Sequence, residues 1–210
     1  MADGPVCFEP LELDDDSAMR ARLAASHVAV IGCGGLGSNA AMMLLRSGVG
    51  TLTIVDFDTV EESNLNRQLF FRDQLGMEKT EALRETLLRI NPDADLRVHH
   101  ECISAENIAS LVGGADVIVE AVDRAEVKAM VINAALELLP DTPLVSASGL
   151  AGFDSANDVV TERIGENFYL VGDLLTDVRE GHPLFASRVM VAAAHEAHAA
   201  VRILLGYPEP

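Results

Sequence analysis

The sequence predicts an α/β protein, a mostly parallel sheet with helices on both faces and an antiparallel C-terminal extension. Three observations carry this. Short apolar runs rich in Val and Ile alternate with amphipathic stretches, the pattern that builds parallel strands joined by crossover helices. The first run ends in a glycine cluster that opens a helical stretch. Beyond residue 150 the alternation gives way to a hairpin and one long Ala-rich segment.

In chain order, residues 1–25 read as an acidic arm and a helix, the arm running to about residue 16 as a mobile segment. Residues 26–210 read as one domain. His27 to Ile31 is a buried strand, Leu36 to Ser47 a helix closed by Gly48, and Thr51 to Val55 a second strand ending at Asp56. A polar loop runs from Phe57 to Leu75. Met77 to Ile90 is amphipathic, and Asn91-Pro92 stops it. Asp95 to His99, Asp116 to Glu120 and Leu144 to Ala147 are three further strands. Between them Ser104 is placed to cap a short helix with Glu106 in its first turn, and Arg124 to Leu138 is a helix. Asp158 to Ile164 and Phe168 to Val171 form a hairpin around Gly165-Glu166, and Ser187 to Leu205 is the last helix, closed by Gly206.

Bulk composition narrows the function. The 210 residues carry 15 Lys plus Arg against 33 Asp plus Glu, a net charge of −18. So acidic a surface repels phosphate backbones and argues against general nucleic-acid binding. The most apolar stretch, Val189 to Leu205, contains His195, Glu196, His198 and Arg202, too many polar groups for lipid, so no membrane span is expected. The start of the chain lacks a basic region followed by an apolar run, so no signal peptide is read there. Cys7, Cys33 and Cys102 are far apart and form no CxxC pair. Neither a disulfide framework nor a zinc ribbon is indicated, and a cytoplasmic protein is expected.

Gly32-Cys33-Gly34-Gly35-Leu36-Gly37 lies between a predicted strand and a predicted helix, the context that the GxGxxG pattern requires. Glycines let the backbone turn tightly and come close to a phosphate. The helix N-terminus then offers unpaired N–H donors and partial positive charge. Asp56, about 20 residues on, stands where a carboxylate receives ribose hydroxyls. These features argue for a nucleotide without separating NAD from ATP.

The residues that follow bear on that choice. Asp58, Asn64, Asn66, Arg67 and Gln68 crowd donors, acceptors and a cation into one loop, more than a dehydrogenase needs and suited to a triphosphate. Lys79 falls in the first turn of a helix, against the macrodipole, where an anionic ligand reverses the sign of its interaction. Asp123, followed by Arg124, comes just after a strand at the edge where α/β folds place ligands. A carboxylate there either holds magnesium or caps the helix behind it.

With these residues in view, the sequence resembles the ubiquitin-activating-enzyme-like superfamily, the ThiF/MoeB/HesA family. The resemblance rests on the glycine loop, Val55-Asp56-Phe57-Asp58, Ser63-Asn64-Leu65-Asn66-Arg67-Gln68, Lys79 and Asp123. It covers most of residues 26 to 150. Ala147 to Gly152, Phe168 to Gly172 and the last helix look like the short-form ThiF branch. The resemblance implies a Rossmann-like domain that adenylates the C-terminal glycine carboxylate of a ThiS-like, ubiquitin-like sulfur carrier, with release of pyrophosphate, in thiamine thiazole synthesis. ATP and magnesium are the implied ligands, and a homodimer the implied assembly. Gly32, Gly34, Gly35 and Gly37 would approach the phosphates and Asp56 the ribose. Asn66, Arg67 and Lys79 would stabilise the triphosphate and its leaving group, beside Asp58, Asn64 and Gln68. Asp123 would hold magnesium, with Arg124 beside it where the family often carries asparagine.

Departures from the family pattern sharpen the expectation. The chain has no CxxC pairs, so no zinc is implied. Residues 103 to 210 contain no cysteine, so no covalent cysteine link to the carrier is available there. The Arg-Tyr opening that lends an arginine to a partner subunit is absent, with Arg20 and Arg22 the nearest substitutes. Other readings are a MoeB-like or tRNA-modifying relative, an NAD-dependent oxidoreductase on the same glycine loop, and a non-catalytic carrier-binding module. His195 and His198 read as helix surface or dimer contact, His182 as a loop residue near a carrier tail, and Phe70-Phe71 as core or dimer interface.

Overall fold

The computed structural model describes residues 8–12, 15–176 and 181–210. Among them, seven strands form one sheet in the order β3-β2-β1-β4-β5-β7-β6. The strands are β1 (His27–Ile31), β2 (Thr51–Asp56), β3 (Asp95–His100), β4 (Val117–Glu120), β5 (Leu144–Ala147), β6 (Val160–Arg163) and β7 (Phe168–Gly172). All neighbours run parallel except β6, which pairs antiparallel with β7. The fold is therefore α/β and Rossmann-like, and its C-terminal extension contributes one strand in each direction.

The helices are α1 (Asp16–Ala25), α2 (Gly35–Ser47), α3 (Lys79–Leu88), α4 (Ile108–Val112), α5 (Ala125–Leu138) and α6 (Ala186–Leu204). Strand side chains alternate between two cores. Val28 and Val30 face the core shared with α2, α3 and α6, while Ala29 and Ile31 face that of α4 and α5. Both faces are covered, which is why β1 and β4 are almost entirely apolar rather than alternating. Strand order turns back at β1, which lies between β2 and β4. The carboxyl ends of these three strands therefore stand side by side, where open α/β sheets bind ligands.

Two expectations shift. The helix expected at Ser104 begins a turn later, at Ile108, because Asn107 Oδ1 accepts from the Ser104 N–H at 2.7 Å and closes a turn first. The arm does not stand free over residues 8–12. Phe8 is partly buried against the core, and Leu11 N–H donates to Leu205 O while Tyr207 Oη donates to Leu11 O. The Phe8 side chain, one backbone carbonyl and one tyrosine hydroxyl at the end of α6 draw this segment in; the rest of the arm, residues 1–7 and 13–14, lies outside the described residues. Phe70 is buried, Phe71 is exposed, and no described helix is long and apolar enough to cross a membrane.

Candidate nucleotide site

The glycine loop is held at the end of β1 by backbone geometry. Gly32 has φ +97°, and a Cβ there would lie 2.8 Å from Ala121 O. A Cβ on Gly37 would lie 1.8 Å from Gly32 O. Close packing accounts for these two glycines. Gly34 is different, since among the described residues nothing beyond its chain neighbours lies within 4 Å of the place its Cβ would take. At Gly35 the neighbours are side chains, Val189 Cγ1 at 2.8 Å and Arg67 Cγ at 3.4 Å. The loop thus presents bare backbone toward open space, with an arginine stem along one side. Gly34 is the N-cap of α2 and supplies no side-chain cap, so the first N–H groups of the helix face that space with the positive end of its dipole.

Asp56 closes one flank. Its Oδ2 accepts from the Cys33 N–H at 2.5 Å and its Oδ1 from the Asp58 N–H at 2.7 Å. Both oxygens are thereby oriented, and each keeps lone pairs for a ligand hydroxyl. Cys33 is fully buried, and burial followed by the Asp56 charge holds its thiol well above the ordinary range. A protonated, enclosed thiol is not a nucleophile.

Lys79 is the first residue of α3 and is nearly buried, with 8% of its side chain exposed, and its Nζ donates to Asp58 Oδ2 at 2.7 Å. The Lys79 N–H also donates to Asp58 O at 2.9 Å. A cation at this position costs about 0.3–1 kcal/mol against the helix dipole, and the Asp58 carboxylate offsets it. Arg67 is turned back on its own loop, donating to Ser63 O at 3.2 Å and to Asn66 Oδ1 at 2.8 Å. Asn64 is buried and shapes the loop, its Oδ1 accepting from the Glu61 N–H at 3.0 Å. Gln68 Oε1 is buried without a partner among the described residues.

Asp123 and Arg124 are exposed beyond the end of β4. The N-cap of α5 is Arg124, with no side-chain cap bond, so Asp123 does not act as the helix cap. Its approach is set from below. Glu120, fully buried, accepts from the Val122 N–H at 2.8 Å, Lys128 Nζ at 2.5 Å and Ser146 Oγ at 2.5 Å.

The wall opposite is α6. Arg188, in its first turn, is 4% exposed and ties two loops to the helix, donating to Asp173 Oδ2 at 2.5 Å, Asp154 O at 2.7 Å and Ser155 O at 2.8 Å. Burial opposes ionisation of Asp173. Hydrogen bonds from the Thr176 and Leu175 N–H groups, the Thr176 hydroxyl and Arg188 outweigh it and bring its pKa down to about 2. Further along α6, Glu196 is fully buried, with no hydrogen-bond partner for either oxygen among the described residues, and burial raises its pKa well above normal. His195 bonds Thr161 Oγ1 at 3.0 Å, His198 is exposed and His182 lies in an exposed loop. Arg20 pairs with Asp16. Arg22 is committed within its own chain, to Glu9 O and Leu204 O.

Sequence reasoning missed the partners of these groups. Ser38 and Asn39, one turn into α2, bond both the glycine loop and the Arg67 segment. Their signal was two adjacent polar residues inside a helix whose neighbours are apolar. Glu120, Lys128, Asp173 and Arg188 carried no local pattern, because each meets its partner across the fold.

The ThiF family model matches residues 12–210. Molybdopterin-synthase adenylyltransferase of Escherichia coli (strain K12) is 33% identical over 88% of this chain and 75% of its own length. The sulfur carrier protein ThiS adenylyltransferase of the same organism is 37% identical over 70% of this chain. This chain covers 59% of that relative's length. Among solved structures, the E. coli tRNA N6-threonylcarbamoyladenosine dehydratase in complex with ATP superimposes with a TM-score of 0.81 at 22% identity, covering 90% of this chain and 89% of the other. At that identity the likeness speaks for the fold.

Proposed function

This chain belongs to the ThiF family and is an adenylyltransferase, and on that footing we propose that it activates the C-terminal glycine carboxylate of a ThiS-like, ubiquitin-like sulfur carrier at the expense of ATP. The observation that carries the reading is the pair of cations beside bare backbone. Arg67 runs along Gly35, and Lys79 stands against Asp58, which the Asp58 N–H links to Asp56. A triphosphate calls for such a cluster, the more so on a protein of net charge −18. A nicotinamide enzyme on the same loop would have no need of it.

The division of labour follows from the chemistry. A terminal carboxylate is ionised at neutral pH and needs no general base. It attacks the α-phosphate in line, forming the acyl-adenylate as pyrophosphate leaves. The protein's work is to position the reactants and stabilise charge. The first N–H groups of α2 and the bare backbone at Gly34 and Gly35 receive phosphate oxygens, while Gly32 and Gly37, packed against Ala121 and each other, hold the turn that presents them. Asp56 orients the ribose. Asn66, Arg67 and Lys79 take up charge on the departing pyrophosphate, with Asp58, Asn64 and Gln68 shaping the loop around them and Arg124 beside the outer phosphates. Lys79 must release Asp58 to do so, which leaves that half-exposed carboxylate free. Asp123, whose carboxylate bonds no described residue, is the side chain that would hold a hard cation, and magnesium held there would supply positive charge to offset that of the phosphates. With Cys33 enclosed and no cysteine after residue 102, release of the adenylate to a separate sulfur donor is favoured over an enzyme-bound thioester. We place this activity in thiamine thiazole synthesis, in a cytoplasmic homodimer.

Mass spectrometry of candidate carriers after incubation with this protein, ATP and magnesium tests the proposal. A ThiS-like carrier heavier by one adenylyl group is expected. Adenylation of a molybdopterin-type carrier instead, or of a tRNA base, would move the substrate to another branch of the family. Thermal stabilisation by NAD and none by ATP would overturn the nucleotide assignment.

A further inference from the structure

We infer that Asn39, with Ser38 beside it, is a positioning residue that fixes Arg67 relative to the glycine loop; the inference rests on the ATP reading above for its catalytic meaning. Asn39 is completely buried on α2. Its Nδ2 donates to Gly35 O at 2.6 Å and to Arg67 O at 3.0 Å. One amide therefore joins the backbone of the first turn of α2 to the backbone of the arginine. Ser38 makes a second join. Its Oγ donates to Gly34 O at 2.6 Å and accepts from the Leu69 N–H at 3.0 Å. Two consecutive side chains splice residues 67 and 69 onto residues 34 and 35.

The splice is made at a cost that plain packing would avoid. With Nδ2 serving both carbonyls, Asn39 Oδ1 is left buried with no partner among the described residues. Turning the amide over would set that oxygen against two carbonyl oxygens, so the orientation is settled by its donors. An apolar side chain of the same size would fill the space without an orphaned acceptor. What only the amide supplies is the fixed offset between Gly35 and Arg67, whose stem already lies 3.4 Å from the Gly35 Cβ position. Among the described residues the guanidinium beyond it bonds only Ser63 O and Asn66 Oδ1, both within the same loop. The registration of that loop on the phosphate side of the site thus depends on residues 38 and 39.

The test combines exchange kinetics with hydrogen exchange on the full chain. Asn39→Leu should lower kcat for carrier-dependent pyrophosphate exchange about tenfold with KM for ATP changed less than about twofold. In an Arg67→Ala background the same substitution should have less than about a twofold effect, since its influence passes through Arg67. Backbone amides of residues 63–70 should exchange faster in Asn39→Leu while those of β1 and β4 do not. Ser38→Ala, a smaller change, should give the same pattern more weakly if Asn39→Leu does not fold. Equal kcat losses with and without Arg67, or unchanged exchange over residues 63–70, would overturn the inference. If the wild-type chain performs no pyrophosphate exchange, the ATP reading fails, and the amide-exchange arm alone decides whether Asn39 sets the loop.

Discussion

Lys79 Nζ lies 2.7 Å from Asp58 Oδ2, with the lysine nearly buried and the aspartate half exposed. The pair is therefore asymmetric. Removing the lysine strands no buried charge, because Asp58 reaches solvent. Lys79→Ala should change stability by about 1 kcal/mol or less, in the range of exposed ion pairs, yet lower carrier-dependent pyrophosphate exchange by about a hundredfold. Thermal melts alongside exchange assays measure both. An unchanged exchange rate would return Lys79 to a structural part.

Asp123 provides a cleaner separation of fold from chemistry. It is exposed and does not cap α5, so Asp123→Ala should melt like the wild type, within about 0.5 kcal/mol. Exchange should disappear, and raising magnesium should not restore it. Full activity in the variant would remove Asp123 from the metal-binding assignment.

The four glycines should divide into two behaviours. Gly37→Ala drives a Cβ to within 1.8 Å of Gly32 O, and its product should be insoluble or strongly destabilised. Gly34→Ala meets nothing within 4 Å and should fold. It should bind ATP at least tenfold more weakly, because the methyl group occupies the space that a phosphate needs. Calorimetric titration of the soluble variant with ATP is the measurement.

Asp173 confers an acid-side dependence. Its folded pKa of about 2 lies below the ordinary 3.8. The unfolded chain therefore takes up this proton first as pH falls, and the stabilisation is complete above pH 4 and lost as pH drops toward 2. It amounts to roughly 2 kcal/mol. Asp173→Asn should be less stable than wild type at pH 7 by about that amount, and the difference should shrink toward pH 2. Urea melts across that range report it.

Glu196 has the opposite sign. Burial raises its pKa, so the folded state keeps a proton that the unfolded state loses above about pH 4.5. Its contribution is present below that pH and declines as pH rises. Glu196→Gln keeps the shape and removes the titration, and should be more stable than wild type at pH 8, with the gap closing at pH 4. Parallel stability curves for the two proteins would disprove this.

Where local pattern decides structure, the sequence is legible. β1 and β4 are almost entirely apolar runs because both faces of their sheet are covered, and the glycine loop, Asp56 and Asp123 follow strand ends that the apolar runs locate. Asp56 and Lys79 reach the same edge because β2 ends at the first and α3 begins at the second. The Ser104 helix started late because Asn107 offered its side chain to the Ser104 N–H, competition that propensity alone does not weigh. Docking of Phe8 and Leu11 on the far end of α6 joins residues nearly 200 positions apart, and no window on the sequence spans that distance. Arg188 and Asp173 belong to the same class. Each looks like a surface charge until the other is placed against it.

Val189 pressed against Gly35 brings the last helix into contact with the first loop. One side of the phosphate cradle is therefore supplied by residues synthesised long after the loop itself has emerged. A nascent chain halted before α6 would display the glycines without this backing, and the face of β4 and β5 that α6 covers would lie open. The backing of the glycine loop therefore waits on the synthesis of α6, more than 150 residues further along the chain.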